Sequence, residues 1–367
     1  MAKKQRRFKF WLNIIAIVLV ALVLFLSRDQ LVEAWDNLHS ANLWILLLLL
    51  PVQVLSYYAN GMIIFSYLRG RGKLKDVKMR TMTAMALELN FVNHVFPTGG
   101  ISGASYMIWR LGKTGVRAGQ ATMSQIIRYV AFMIAFVILL VISLVVVAIT
   151  NDASNMVVLL SAAFATGTMF LVIFAAYLIG NRNRLKSFSR WVTRVVNKVV
   201  YAISFKRRES ILKKSVTEKF FYDIHDDFMV IKEQKSLLLK PIIWAFVFVL
   251  SDVALFFVAF LALGTPFNPA LLLIAYGAAT CVGMFVTTPG GAGGFEGVMI
   301  LMLGRASAAG VVLARVILIL GTLITGYVFY HLAIRRLGDP NLDKKIDLTP
   351  NDEIKKAKSH DGRYTDV

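Results

Sequence analysis

A single cysteine, Cys281, stands in the 367 residues and lies inside an apolar run, so no intramolecular disulfide can form. Acidic residues are few as well, 21 Asp and Glu against 41 Lys and Arg, and charged residues of both signs make up only 17% of the chain. With 57% hydrophobic residues and a mean hydropathy of +0.65, too little polar surface remains to cover a soluble globule of this size. The sequence also lacks a phosphate-binding P-loop, a GxSxG nucleophile elbow and an HExxH zinc motif. "GGAGGFEG" at 290–297 follows no strand and sits in an apolar segment, which sets aside a dinucleotide fingerprint. These absences leave an integral membrane protein with no catalytic, cofactor or metal motif.

What is present is a series of apolar runs. Phe10 to Leu26, Leu43 to Phe65, Tyr129 to Ile149, Met156 to Ile179, Ile242 to Leu263 and Val311 to Leu332 each approach or exceed the roughly 20 residues that cross about 30 Å of hydrocarbon. Six spanning helices are expected. The first run has a basic flank but no small-x-small cleavage pattern, and reads as a retained signal anchor.

A net charge of +20 invites a nucleic-acid reading, but the positions of the charges argue against it. Of the 41 Lys and Arg, 37 fall before Phe10, in 69–80, in 110–117, in 182–240 or beyond Ala333. All of these places share one side if the six runs alternate. The opposite side keeps Arg28 and Arg305 beside Asp29, Glu33, Asp36 and Asp152. By the positive-inside rule both termini are then cytoplasmic, in a multi-pass protein of the cell membrane. The basic excess becomes a topology signal and an attraction to anionic inner-leaflet lipid.

Two further apolar stretches carry Pro and clustered Gly, residues that disfavour helix where bilayer leaves unpaired backbone costly. "FPTGGISGASYMIW" (96–109) is flanked on both ends by basic segments, and "TTPGGAGGFEGVMI" (287–300) by loops of the opposite side. A segment that returns to the face it left is re-entrant. The breaks fall at Pro97, Gly99 and Gly100 and at Pro289, Gly290 and Gly291; Gly99, Gly100 and Gly103 recur as Gly290, Gly291 and Gly294 at a constant offset of 191. The expected fold is therefore all-α and polytopic, with six spanning helices and two broken hairpins related as inverted repeats, an arrangement that places a substrate site near mid-bilayer. Irregular backbone at that depth must line a cavity or be buried in protein. Short helices are expected after the breaks, Ser102 to Trp109 and Phe295 to Leu303, with N-terminal amides able to meet an anion. The plainer reading is close helix packing on small residues.

At these motifs the chain resembles the lysylphosphatidylglycerol synthase transmembrane region, also described as the flippase-like domain family. The resemblance rests on "FPTGGISGASYMIWRLGKTG", on "TTPGGAGGFEGVMI" with its Pro-Gly-Gly and following Glu, and on the order of membrane runs with a basic loop between halves; it covers about Trp11 to Arg336. In full-length synthases this region is similar to a lipid flippase unit, and a separate cytosolic domain transfers lysine from lysyl-tRNA to phosphatidylglycerol. Only 32 residues follow Arg335, too few for such a domain.

Ionisable residues inside membrane segments are functional candidates. Glu296 lies in the first turn after the second break, where it can cap the helix, receive a cationic headgroup or pair with a basic residue of another helix. Arg128 and Arg315 follow their breaks' last Gly by about 20 to 25 residues and suit phosphate. Arg110 is expected to snorkel. Asp252, midway along the fifth run, is expected to pair with one of the arginines, with proton coupling as the sharper alternative. Glu88 is expected in a polar cluster with Asn90, Asn93 and His94, and no second ligand at suitable spacing supports a metal there.

The domain plan is a membrane unit over 1–336, with a first half at about 10–180, a basic loop at 181–240 and a second half at 241–336. Within the loop, Leu185, Phe188, Trp191, Val192, Val195, Val196, Val199, Val200 and Ile203 follow helical periodicity, and Lys186, Arg190, Arg194 and Lys198 form a second stripe. An interfacial helix on the inner leaflet is expected. The tail 337–367 has no apolar periodicity and is expected to be disordered.

The resemblance implies a translocase moving an anionic or aminoacylated phospholipid, such as lysylphosphatidylglycerol, between leaflets. The alternatives are a lipid-modifying enzyme of the phosphatidylglycerol lysyltransferase type, by family name, and a lipid-binding scaffold for a separate synthase. The expected partners are membrane phospholipid and anionic inner-leaflet lipid, with no nucleic acid and no cofactor.

Overall fold

A computed structural model of the protein describes residues 41–96, 101–150, 172–203, 214–286 and 291–336, with scattered positions in 32–39 and 166–170. The first apolar run, half of the fourth, and the tail lie outside the described residues, as do Pro97, Gly99, Gly100, Pro289 and Gly290. Every regular element among the described residues is helical.

The helices are α1 (Leu43–Leu46), α2 (Leu49–Gly70), α3 (Met79–Val95), α4 (Ile101–Gly112), α5 (Ala118–Thr150), α6 (Arg182–Ile203), α7 (Lys214–Glu233), α8 (Leu239–Ala262), α9 (Pro269–Phe285), α10 (Gly294–Leu303) and α11 (Ala308–Arg336). Local sequence explains several starts. Asn42 caps α1 by accepting from the amides of Trp44 and Ile45. Asn268 accepts from Ala270 N–H at 2.9 Å while Pro269 takes the first helical position, where no amide is missed.

Among the described residues, four stretches are long and apolar enough to cross a membrane: Leu43–Gly70, Ala118–Thr150, Lys235–Ala262 and Arg305–Ala333. Their outward faces carry exposed apolar residues, such as Ile138, Val141, Ile142 and Val145 on α5 and Ile324 and Val328 on α11. That is the surface a bilayer covers and water does not tolerate. All-helical structure and these spans mark a membrane protein.

Order and packing follow one pattern twice. A 22-residue helix, a 17-residue helix, a break, a 12-residue helix and a 33-residue helix make up α2 to α5; the same order with 24, 17, 10 and 29 residues makes up α8 to α11. The largest contact joins α2 to α8, and each set's long helix lies on the other set's broken segment, α11 on α3 and α5 on α9. Glycine permits both crossings. A Cβ on Gly326 would overlap Phe91, and one on Gly277 would overlap the Phe136 ring.

The connection between the sets is more structured than its charge alone suggests. Leu185, Ser189 and Thr193 form the buried stripe of α6, which packs on α7, while Trp191 and Val195 remain 52% and 39% exposed. Of the apolar face expected from periodicity, Leu185 is buried, while Trp191 and Val195 are exposed and stand next in sequence to Arg190 and Arg194. Helix α7, absent from the sequence reading, docks on α5, and its Asp227 meets Arg71 at 2.7 Å. Burial pushes the Asp227 carboxyl above the ordinary Asp range, against the pull of Arg71.

Candidate functional site

Between the two sets lies a cavity of about 260 Å³. It draws wall residues from α2, α3, α5, α8, α9, α10 and α11, and it reaches both breaks through Phe96 and Gly291. Gly291 has φ of +70°, and a Cβ there would also press on the Gly283 backbone. Only glycine fits that turn without strain.

Three of the ionisable residues singled out by sequence line this cavity: Arg128, Asp252 and Arg315. Their circumstances differ. Arg315 donates from Nε to Glu296 Oε1 at 2.6 Å, and its guanidinium lies 4.4 Å from the centre of the Phe295 ring. The other oxygen of Glu296 accepts from Gly293 N–H at 2.7 Å, which caps α10. Both readings of Glu296, helix cap and partner of a basic residue, are realised by the one carboxylate.

Arg128 has no salt bridge among the described residues. Its Nη1 donates to Asn60 Oδ1 at 3.4 Å, its guanidinium lies 4.4 Å from the centre of the Tyr129 ring, and Nε and Nη2 are buried without a partner. At 7% exposure this is a buried cation without a counter-charge among the described residues, a costly state unless an anion visits it.

Asp252 departs from the expected ion pair. Its two oxygens accept from Ser56 Oγ on α2 and from Tyr276 OH on α9, the latter at 2.6 Å, and it forms no salt bridge among the described residues. Hydroxyl donors supply part of its solvation, so no cation was needed to bury it.

Glu88 is not in the cavity wall. It receives Arg110 Nε at 3.0 Å and Tyr106 OH at 2.8 Å, tying α3 to α4. The expected cluster around it divides: Asn90 accepts from Asn60, Asn93 accepts from Gly103 N–H at 3.0 Å, and His94 donates to the Asn90 carbonyl. Arg110 pairs with Glu88 where snorkelling was expected. Gly294 packs on Val286, and a Cβ on Gly103 would overlap Asn93. Each short helix thus has one amide near its start taken by a side chain, Asn93 for α4 and Glu296 for α10.

Sequence reasoning missed Ser56, Asn60, Tyr276 and Phe295. A signal existed for the first two, because Gln53, Ser56, Tyr57 and Asn60 form a polar stripe at helical spacing on an otherwise apolar span. Gln53 and Tyr57 bond Thr322 and the Leu318 carbonyl of α11, and Ser56 and Asn60 reach Asp252 and Arg128. No group of three or more His, Cys, Asp or Glu among the described residues could hold a metal.

Among the described residues the cavity offers one cation without an ion pair, one carboxylate held by hydroxyls and one internally neutralised ion pair, within walls rich in Phe and Tyr. No curated protein sequence matches the chain. The family model described as "Lysylphosphatidylglycerol synthase TM region" matches residues 13–332, and the chain belongs to that family.

Proposed function

We propose that the protein is a lipid translocase that carries a phospholipid headgroup between leaflets through the cavity shared by its two helix sets. The observation that carries this reading is Arg128, buried in the cavity wall with two unpartnered nitrogens. A guanidinium suits a phosphate oxygen in such a place. A cavity of about 260 Å³ is smaller than sites that enclose drug-sized ligands, roughly 300–1,000 Å³. It holds a headgroup while the acyl chains stay in the bilayer.

In this reading α2 to α5 and α8 to α11 are inverted repeats, the broken segments α3–α4 and α9–α10 are re-entrant, and six helices span with both termini cytoplasmic. The reciprocal packing of each long helix on the other set's broken segment supports it, since rocking of one set against the other opens the shared cavity to one side at a time. The 37-to-2 division of basic residues between the two sides, with Arg128 and Arg315 inside the membrane, supports the orientation.

Purified protein in liposomes, with acyl-labelled phospholipids followed by leaflet-specific quenching, tests the proposal. Parent protein is expected to move at least one phospholipid, and Arg128→Gln to lose that movement while eluting as a folded species. Lack of movement across a panel of phosphatidylglycerol, phosphatidylethanolamine and lysylphosphatidylglycerol refutes translocation; full movement by Arg128→Gln refutes the site.

A further inference from the structure

The family name points to a headgroup with two ammonium groups, but the charges free in the cavity do not match one. A lysylated phosphatidylglycerol headgroup carries one phosphate and two ammoniums, and would need two carboxylates. Of the three carboxylates near the cavity, Glu296 is held by Arg315 and by the amide of Gly293, and Glu88 by Arg110 and Tyr106. Only Asp252 lines the wall without an ion pair among the described residues. Only Arg128, likewise, is an unpaired cation there. His94 also borders the cavity and adds no anion.

The two unpaired charges are also placed for a single ligand. Arg128 reaches Asn60, and Asp252 reaches Ser56. Asn60 and Ser56 are four residues apart on α2, one turn or about 6 Å along the axis. A phosphate and an ammonium separated by a few bonds can each sit a hydrogen bond from its partner across that distance.

We propose, resting on the translocase reading above, that this cavity selects a zwitterionic headgroup with one phosphate and one ammonium, the phosphate on Arg128 and the ammonium on Asp252. Tyr276 and Ser56 hold Asp252 ready by donating to one oxygen each, which leaves further lone pairs for the ammonium. A headgroup without an ammonium leaves Asp252 facing the phosphate, and one with a second ammonium buries an uncompensated cation. Phosphatidylethanolamine and an alanylated phosphatidylglycerol both satisfy the rule.

Full-length protein in detergent is offered equimolar phosphatidylethanolamine, alanyl-phosphatidylglycerol, phosphatidylglycerol, lysylphosphatidylglycerol and N-acetyl phosphatidylethanolamine with matched chains, and retained lipid is read by native mass spectrometry. Both single-ammonium lipids are expected to be retained at least about tenfold over the other three, the size of one charged hydrogen bond gained or lost. Asp252→Asn should bring phosphatidylethanolamine and phosphatidylglycerol to near parity. The N-acetyl probe removes the ammonium without touching the protein, so it tests the rule even if that variant does not fold. Equal or better retention of the lysylated lipid, or of the N-acetyl probe, overturns the proposal. The same lipids in the liposome assay separate the two claims: selective retention without movement defeats the translocase reading alone, and movement led by the lysylated lipid defeats the headgroup rule alone.

Discussion

Arg128 and Arg315 are hidden to the same degree, 7% and 6% exposed, and both line one cavity. One is tied to a carboxylate and an aromatic ring within its own helix set. The other has, among the described residues, only a long hydrogen bond to Asn60 and its neighbour's ring. The difference separates two uses of a buried charge. A charge whose partner is built in serves the fold, because breaking the pair strands the survivor; a charge left open stores an unfavourable state that a ligand relieves. The second half of the molecule holds the structural version and the first half the open one.

The largest effect should come from separating the built-in pair. Glu296→Gln leaves Arg315 buried without its counter-charge, and should cost about 3–5 kcal/mol of stability. Thermal unfolding followed by size exclusion in detergent measures it. Arg315→Met strands Glu296 and should be comparably harmful, whereas Arg315→Met with Glu296→Leu should recover most of the loss, since an apolar pair of similar volume carries no stranded charge. If either single variant unfolds like the parent, the pair is not structural and the contrast with Arg128 collapses.

That contrast was only half legible in the sequence. Charged residues within apolar runs announce themselves, so Arg128, Asp252, Glu296, Arg315 and Glu88 are found by inspection. The short helices were readable too, because Pro and Gly punctuate: the expected 102–109 and 295–303 correspond to Ile101–Gly112 and Gly294–Leu303. Partners were not readable. Glu88 meets a residue 22 positions away and Glu296 one 19 positions away, while Asp252 meets hydroxyls of two other helices. Apolar content says that a helix is buried in lipid or protein; it does not say which neighbour each turn will meet. The stripe Gln53, Ser56, Tyr57 and Asn60 shows what a finer reading recovers, since hydroxyls and amides in a span are less conspicuous than charges but follow the same spacing.

A smaller effect should follow at the first break. In the Glu88–Arg110 pair the arginine side chain is 12% exposed, and Tyr106 can still donate to a neutral amide oxygen. Glu88→Gln should therefore cost about 1–3 kcal/mol, the loss of a charged hydrogen bond without a stranded charge. Gly291→Ala sits in the same range, about 1–2 kcal/mol for a left-handed backbone, with contact against Gly283 added. A Glu88→Gln loss equal to that of Glu296→Gln would mean that both breaks are clamped alike.

The smallest change in stability, with a complete change in binding, is expected at Arg128. Arg128→Met keeps the volume and the stem that lies along apolar neighbours, and removes a charge that has no ion pair among the described residues. Stability should stay within about 1 kcal/mol of the parent, or rise slightly, because no counter-charge is left behind and a desolvation cost is relieved. Asn60 loses one long hydrogen bond, but its amide still donates to Asn90 at 3.1 Å. Retention of every phospholipid should fall together, whatever its ammonium content, since the phosphate partner is common to all. Thermal unfolding and native mass spectrometry on one preparation read both quantities. A destabilisation like that of Arg315→Met would place Arg128 among the structural charges and leave the cavity with no anion site.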